Sequence, residues 1–261
     1  MDIFLSYIPI NIGMRRLGII SCQVFEKELS HLLDQRDDIE NIYMTRTPEN
    51  ISFSNCIKKH NVHFIKEPMF LPRLSRTLDV LVNILPIGLH IDIDDLEYEC
   101  NENINEFKEC TSSILLFYGL CGKALSNVIR REDVKLIYPS DEEGIVDDCI
   151  CSVLGRCAYL DELRRMGSFF MTPGFVLHRN SMLDRINKRS ERGYTTSDSK
   201  LMLELNDYQR ALLIRLGLED EEYLQRVGLL ADELGLSIEK TDGSLDLLRD
   251  TLDRGLASVA S

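Results

Sequence analysis

The chain has 261 residues, which suits one large domain or two modest ones. Its 30 basic residues against 43 acidic ones leave a formal net charge of −13, a poor match for a phosphate backbone, which needs a clustered positive surface. Apolar residues make up 44%, enough for a real core and too many for wholesale disorder, and the purpose of eight cysteines is the main question.

The opening reads MDIFLSYIPINIGMRR, with Arg15 and Arg16 after the apolar stretch, the reverse of a secretory signal. No run reaches the ~18 apolar residues of a membrane span. The expected location is therefore the cytoplasm, with no membrane partner. Thiols stay reduced there, so the cysteines are read first as buried thiols, metal ligands or reactive thiols.

In chain order, Leu17–Cys22 (LGIISC) is a short apolar strand, and a helix follows from about Val24 to Leu33. Residues 41–79 read as an irregular insert with prolines at its edges. Val80–Leu85 (VLVNIL) is a strand, and Asp95 to Phe107 is a helix with a stripe at Leu96, Cys100, Ile104 and Phe107. Ile114–Tyr118 and Val134–Tyr138 are further strands, Asp148 to Leu163 is a helix, and Ser168–Met171 is a last strand. Beyond about residue 180 the pattern turns helical. Leu201, Leu205, Tyr208, Leu212 and Leu216 mark one helix, Asp220 to Leu234 a second stopped by Gly235, and Ser244 to Asp253 a third with Ser244 as N-cap. Strands alternating with helices predict an α/β fold, a mostly parallel sheet flanked by helices. The expected division is an α/β core over 1–180 and a mainly helical C-terminal region over 181–261.

All carboxyl ends of a parallel sheet lie on one edge, where open α/β folds bind their ligands. Cys22 ends the first strand, His90 follows the second, Cys121 follows the third, and Cys149 starts a helix after the fourth. Topology thus predicts that Cys22, His90, Cys121 and Cys149 share one crevice. Three thiolates and an imidazole suit Zn²⁺ and also an iron–sulfur cluster. No CxxC pair supports a metal by spacing alone. Cys149 at a helix N-terminus gains thiolate character from the dipole, which Asp147 and Asp148 oppose. The acidic loop of Asp141, Glu142, Glu143, Asp147 and Asp148 is either a solvated turn or a rim that welcomes a cation.

Cys100 and Cys157 read as core, since a free thiol packs as a small hydrophobe. Cys110 has no evident role, and Cys151 stays open. Cys56, His60 and His63 form a C-x3-H-x2-H cluster, a weaker half of a zinc site. Gly119 and Gly122 bracket Leu120-Cys121 in a turn able to bring backbone N–H groups to an anion or to present Cys121. Tyr118, Gly119 and Gly122 are accordingly the candidate cofactor contacts. No dinucleotide or P-loop pattern is present.

These residues carry a family resemblance. Ile20-Ser21-Cys22, Leu85-Pro86-x-Gly88-Leu89-His90, Tyr118-Gly119-Leu120-Cys121-Gly122, Asp148-Cys149-Ile150 with Leu154-Gly155, Thr172-Pro173-Gly174-Phe175 and Gly243-Ser244-Leu245-x-Leu247-Leu248 resemble the family known as domain of unknown function 1638 (DUF1638). The resemblance covers roughly residues 16–254 outside 41–79. The family typically has His-Asp-Cys where this chain has Asp147-Asp148-Cys149, and a basic residue where it has Ser140, so no role for that histidine carries over. The three cysteines and His90 remain. The family has no established activity. Its members are found in anaerobes and methanogens, often encoded near corrinoid-dependent methyltransferases, which implies one-carbon metabolism.

The leading expectation is a Cys/His metal-binding protein in corrinoid-linked methyl transfer, with a corrinoid protein or methyltransferase as partner. An iron–sulfur or redox accessory protein, such as a metal carrier, would use the same residues. A module without metal would use the acidic helix Asp92–Glu109 or the C-terminal third to meet a partner. Whether the chain is an enzyme stays open.

Overall fold

The computed structural model describes residues 14–71, 75–165, 167–189 and 208–260. The N-terminal segment 1–13 lies outside them, as do residues 201–207 of the expected helix. Among the described residues no helix is long and apolar enough to cross a membrane.

The fold is α/β. Its main sheet is built from β1 (Met14–Cys22), β2 (Ile39–Thr45), β3 (Asn61–Ile65), β4 (Ser75–Leu85), β5 (Ser113–Phe117) and β6 (Leu136–Ile137), in the order β3-β2-β4-β1-β5-β6. Every neighbouring pair is parallel. The apolar runs LGIISC and ILLFY occupy β1 and β5, two of the four interior strands, where continuous hydrophobicity is expected of a parallel sheet. Helices α1 (Glu26–Asp34), α2 (Pro48–Cys56) and α3 (Ile93–Phe107) link β1 to β2, β2 to β3 and β4 to β5.

Successive residues of β1 point to opposite faces. A Cβ on Gly18 would meet the Phe107 ring of α3, while Leu17 meets Gly255 of the last helix. Arg36, just past α1, binds Asp253 of that same helix. The chain therefore leaves β1 on one face of the sheet and leaves the adjacent β4 on the other. Such a reversal opens a crevice at the carboxyl ends of the two strands. Cys22 pairs in register with Leu85 there, and Ser21 with Phe117.

The stretch 41–79 is not an irregular insert. It supplies most of β2, all of α2 and β3 and the start of β4, completing one wing of the main sheet. Its elements lack apolar periodicity because β3 is an edge strand with a largely solvent-facing surface.

Beyond β6, a short hairpin of β7 (Ser140–Asp141) and β8 (Gly144–Ile145) precedes α4 (Cys149–Leu154) and α5 (Arg156–Arg165). The single helix expected over 148–163 is broken at Gly155, whose φ is +77°. A second sheet then forms from β9 (Ser168–Met171), β10 (Arg210–Arg215) and β11 (Ser237–Asp242), parallel and in the order β11-β10-β9. Between its strands lie α6 (Pro173–Arg189) and α7 (Glu221–Leu234), and α8 (Asp246–Ala260) closes the described chain. Among the described residues beyond 180 the chain is mostly helical, with β10 and β11 set between its helices. Residues 210–215, expected as helix, are the central strand of this sheet, and Ala211, Leu212, Leu213 and Ile214 form a continuous buried apolar run. Helix α7 matches its expected span, with Asp220 accepting from the Tyr223 N–H at 2.7 Å and Gly235 left-handed at its end. Ser244 Oγ accepts from the Asp246 N–H, as its capping role requires.

Candidate functional site

Cys22 closes β1 and is buried. The chain then enters a 3-10 turn at Gln23–Phe25. Gln23 Oε1 accepts from the Ile87 N–H at 3.2 Å and ties the exit of β4 to the exit of β1. Gly174, at the start of α6, packs so closely on this turn that a Cβ would stand 2.0 Å from the Val24 carbonyl oxygen. The Thr172-Pro173-Gly174-Phe175 motif therefore borders the same edge, with Thr172 capping the helix.

Past β5 the chain runs Tyr118-Gly119-Leu120-Cys121-Gly122. The N–H groups of Leu120 and Cys121 donate to Val146 and Asp147 oxygens at 3.0 and 2.9 Å, which lays this turn against the segment leading to Cys149. A Cβ on Gly119 would come within 2.4 Å of Asp148 Cα, so only glycine permits the approach. Cys121, Gly122 and Lys123 have φ of 48°, 66° and 77° in succession. A left-handed conformation costs on the order of 1–2 kcal/mol for a residue with a Cβ, and such strain concentrates at functional sites.

These contacts set the turn that carries Cys121 against the segment that leads to Cys149. Cys149 stands near enough to both Cys22 and Cys121 for each of them to act on its pKa. The Gly119 N–H points to the Cys149 sulfur, and the Val24 N–H to that of Cys22. Cys149 does not gain thiolate character from its helix. Its hydrogen bond with Cys121, followed by burial, holds its pKa well above the ordinary range. Helix α4 is only six residues long, and its Cys151 N–H is taken by Asp148. Cys22 is likewise pushed up, first by Cys149 and then by burial.

Tyr118 sits among the sulfurs. Burial raises its phenol well above its ordinary pKa, and Cys22, Cys100, Cys121 and Cys149 all act on it in the same direction. Its hydroxyl reaches toward Cys22, favouring that thiolate, but it is buried with no partner of good hydrogen-bond geometry. An unsatisfied buried hydroxyl costs about 1–3 kcal/mol.

His90 stands at the same edge but is exposed. Partial desolvation lowers its pKa, and the Asp148 carboxylate beside it acts in the opposite sense. The group that acts on its charge is thus the residue preceding Cys149, not a sulfur. Among the described residues, no three or more His, Cys, Asp or Glu side chains are already gathered as a metal site.

The acidic loop is organised from within by Arg156, which binds Asp141 at 2.9 Å and Asp147 at 3.4 Å. Cys157 is exposed, not core, because the break at Gly155 rotates α5 out of the phase of α4. Cys56, His60 and His63 do not converge. Cys56 meets Glu26, His60 Nε2 meets the Leu33 carbonyl at 2.8 Å, and His63 Nε2 meets Asn41 at 3.1 Å. Cys100 is fully buried as expected, and it also borders Cys22 and Tyr118. Its place on an apolar helical stripe concealed that second position. The reading also missed His178, which pairs with the buried Glu26 at 2.7 Å and anchors α6 beside the site. These two residues lie far apart in sequence, and no local pattern joins them.

Residues 84–252 match the model of a family described as a protein of unknown function, DUF1638. The match takes in His90, Cys121 and Cys149 and begins after Cys22.

Proposed function

Since this chain belongs to the DUF1638 family, whose description assigns no activity, we propose from its geometry that Cys22, Cys121 and Cys149 bind a thiophilic metal ion and that the site serves corrinoid-linked methyl transfer. What carries the metal reading is that Cys22, Cys121 and Cys149 lie past the ends of β1 and β5 and near enough for Cys149 to be coupled to the other two. Two supports accompany it. The Tyr118 hydroxyl is buried there without a good partner, and a strained turn holds Cys121. Thiolates select Zn²⁺ or the iron of a cluster over hard cations. Binding displaces the thiol protons, and bound Zn²⁺ would keep a sulfur ligand deprotonated and nucleophilic at neutral pH. The methyl-transfer part of the reading, with a corrinoid protein or methyltransferase as partner, rests on the resemblance set out above. In the iron–sulfur alternative the same sulfurs hold a cluster in a redox or carrier protein.

Elemental analysis of protein purified without oxygen tests the proposal. The expected result is about one Zn per chain in wild type and a clear loss in Cys121→Ser. Iron with visible absorption would move the reading to the cluster alternative. Substoichiometric metal of both kinds would sink it and favour a module without metal.

A further inference from the structure

We propose that the carboxyl end of β4 carries a separate binding site, which takes a small zwitterion with a carboxylate at one end and an ammonium at the other. Two cavities of about 440 and 360 Å³ adjoin there. They share Glu49 of α2, Pro86 and Leu89 past β4, Asp95 of α3 and Arg185 of α6. The volumes suit a small organic ligand, and the carboxyl edge of a parallel sheet is where such ligands bind. None of the residues lining either cavity is a cysteine.

Opposite charges line this space without meeting. Among the described residues the Arg185 guanidinium has no ion pair or hydrogen bond, and neither has the carboxylate of Glu49 or of Asp95. Elsewhere an arginine beside carboxylates closes on them, as Arg156 does on Asp141 at 2.9 Å. The Arg185 stem instead lies against Gly88, where an added Cβ would stand 3.6 Å from Arg185 Cδ and 3.2 Å from Met182 Cγ. A ligand carrying both charges satisfies both walls. A plain cation would face the guanidinium and a plain anion the carboxylates, and like charges brought together are costly.

The floor adds direction. Asn50 Nδ2 donates to Asn83 Oδ1 at 2.8 Å, Asn83 Nδ2 donates to Asn103 Oδ1, and Asn103 Nδ2 donates to the Glu99 carbonyl at 2.8 Å. This chain fixes the Asn83 amide and uses one of its two N–H donors. Asn83 lines the same cavity as Arg185, so its second N–H and the guanidinium can receive one carboxylate. The ammonium then falls to Glu49 and Asp95, with Pro86 and Leu89 under the apolar body between.

Calorimetric titration of the full chain tests this, with 6-aminohexanoate and L-norleucine as zwitterions and hexanoate and hexylamine as single-charge controls. At least one zwitterion is expected to bind saturably, at least about tenfold tighter than either control, the worth of one hydrogen bond to a charged group. Arg185→Gln should remove the advantage over hexylamine, and Glu49→Gln combined with Asp95→Asn the advantage over hexanoate. Cys121→Ser should leave the affinity unchanged even where it loses metal, which separates this site from the cysteines. Hexylamine binding as tightly as the zwitterions would overturn the proposal, as would unchanged zwitterion affinity in Arg185→Gln. So would the absence of saturable binding of both zwitterions below about 10 mM, or loss of binding in Cys121→Ser.

Discussion

At Gly119 and Gly122 the same residue type serves two different physical ends. Gly119 lies against the backbone of Asp148, and an added Cβ has nowhere to go. Gly122 has open space around its Cα and needs only its positive φ. Gly122→Ala is therefore expected to cost about 1 kcal/mol, all of it conformational, and to keep metal uptake. Gly119→Ala should cost about 1–3 kcal/mol by overpacking and also lose metal, because it wedges the Cys121 turn away from Cys149. Urea denaturation with metal stoichiometry on both variants checks this. Equal metal uptake by the two would mean that the approach of the turns does not set the thiol contact.

Helix α1 carries a carboxyl in an unusual state. Glu28 is 1% exposed, and its Oε2 has no hydrogen-bond partner. Burial pushes its pKa from 4.5 up to about 8. The nearby Glu26 and Glu219 add to the shift, and Lys27 opposes it. The folded state thus holds a proton that the unfolded chain has already released between pH 4.5 and about 8. Stability contributed by this group is complete below the lower value and declines through that window, by up to about 1.4 kcal/mol per pH unit. Glu28→Gln should remove this slope, so that the variant gains on wild type as pH rises from 5 to 8. Parallel stability curves would count against the buried state.

Elements were legible in the sequence where burial is uniform. LGIISC and ILLFY read correctly because a central parallel strand is apolar on both faces. Strand β3 did not, because an edge strand with one face in water has no such run. Strand β10 was mistaken for helix because Leu205, Tyr208, Leu212 and Leu216 fall at spacings near one helical turn, although Leu212, Leu213 and Ile214 are contiguous and all buried. The placement of Cys22, Cys121 and Cys149 on one edge was readable from topology alone. The nearness of Cys121 to Cys149 was not, since it depends on Gly119 meeting Asp148, a contact between segments separated by β6 and the hairpin. The setting of Tyr118 follows from the same contact.

At the scale of the molecule, two parallel sheets are held by segments that return to the first after forming the second. Ser244 N–H donates to the Val153 carbonyl at 2.8 Å, and Lys27 of α1 binds Asp220 at the head of α7 at 2.9 Å. Helix α8 then covers the Leu17 and Leu115 face of the main sheet with Leu248, Leu252, Leu256 and Val259, all buried. Leu252→Ala should cost about 2–5 kcal/mol, read as a drop in the urea midpoint. A cost below about 0.5 kcal/mol, the size of an ordinary surface change, would show that α8 does not hold the sheet.

That late return of α8 has a consequence for synthesis. Strands β1 to β6 leave the ribosome while one face of their sheet is still bare, and residues 248–259 are among the last described residues to be translated. The nascent chain therefore carries the apolar face of Leu17 and Leu115 uncovered until this last helix emerges.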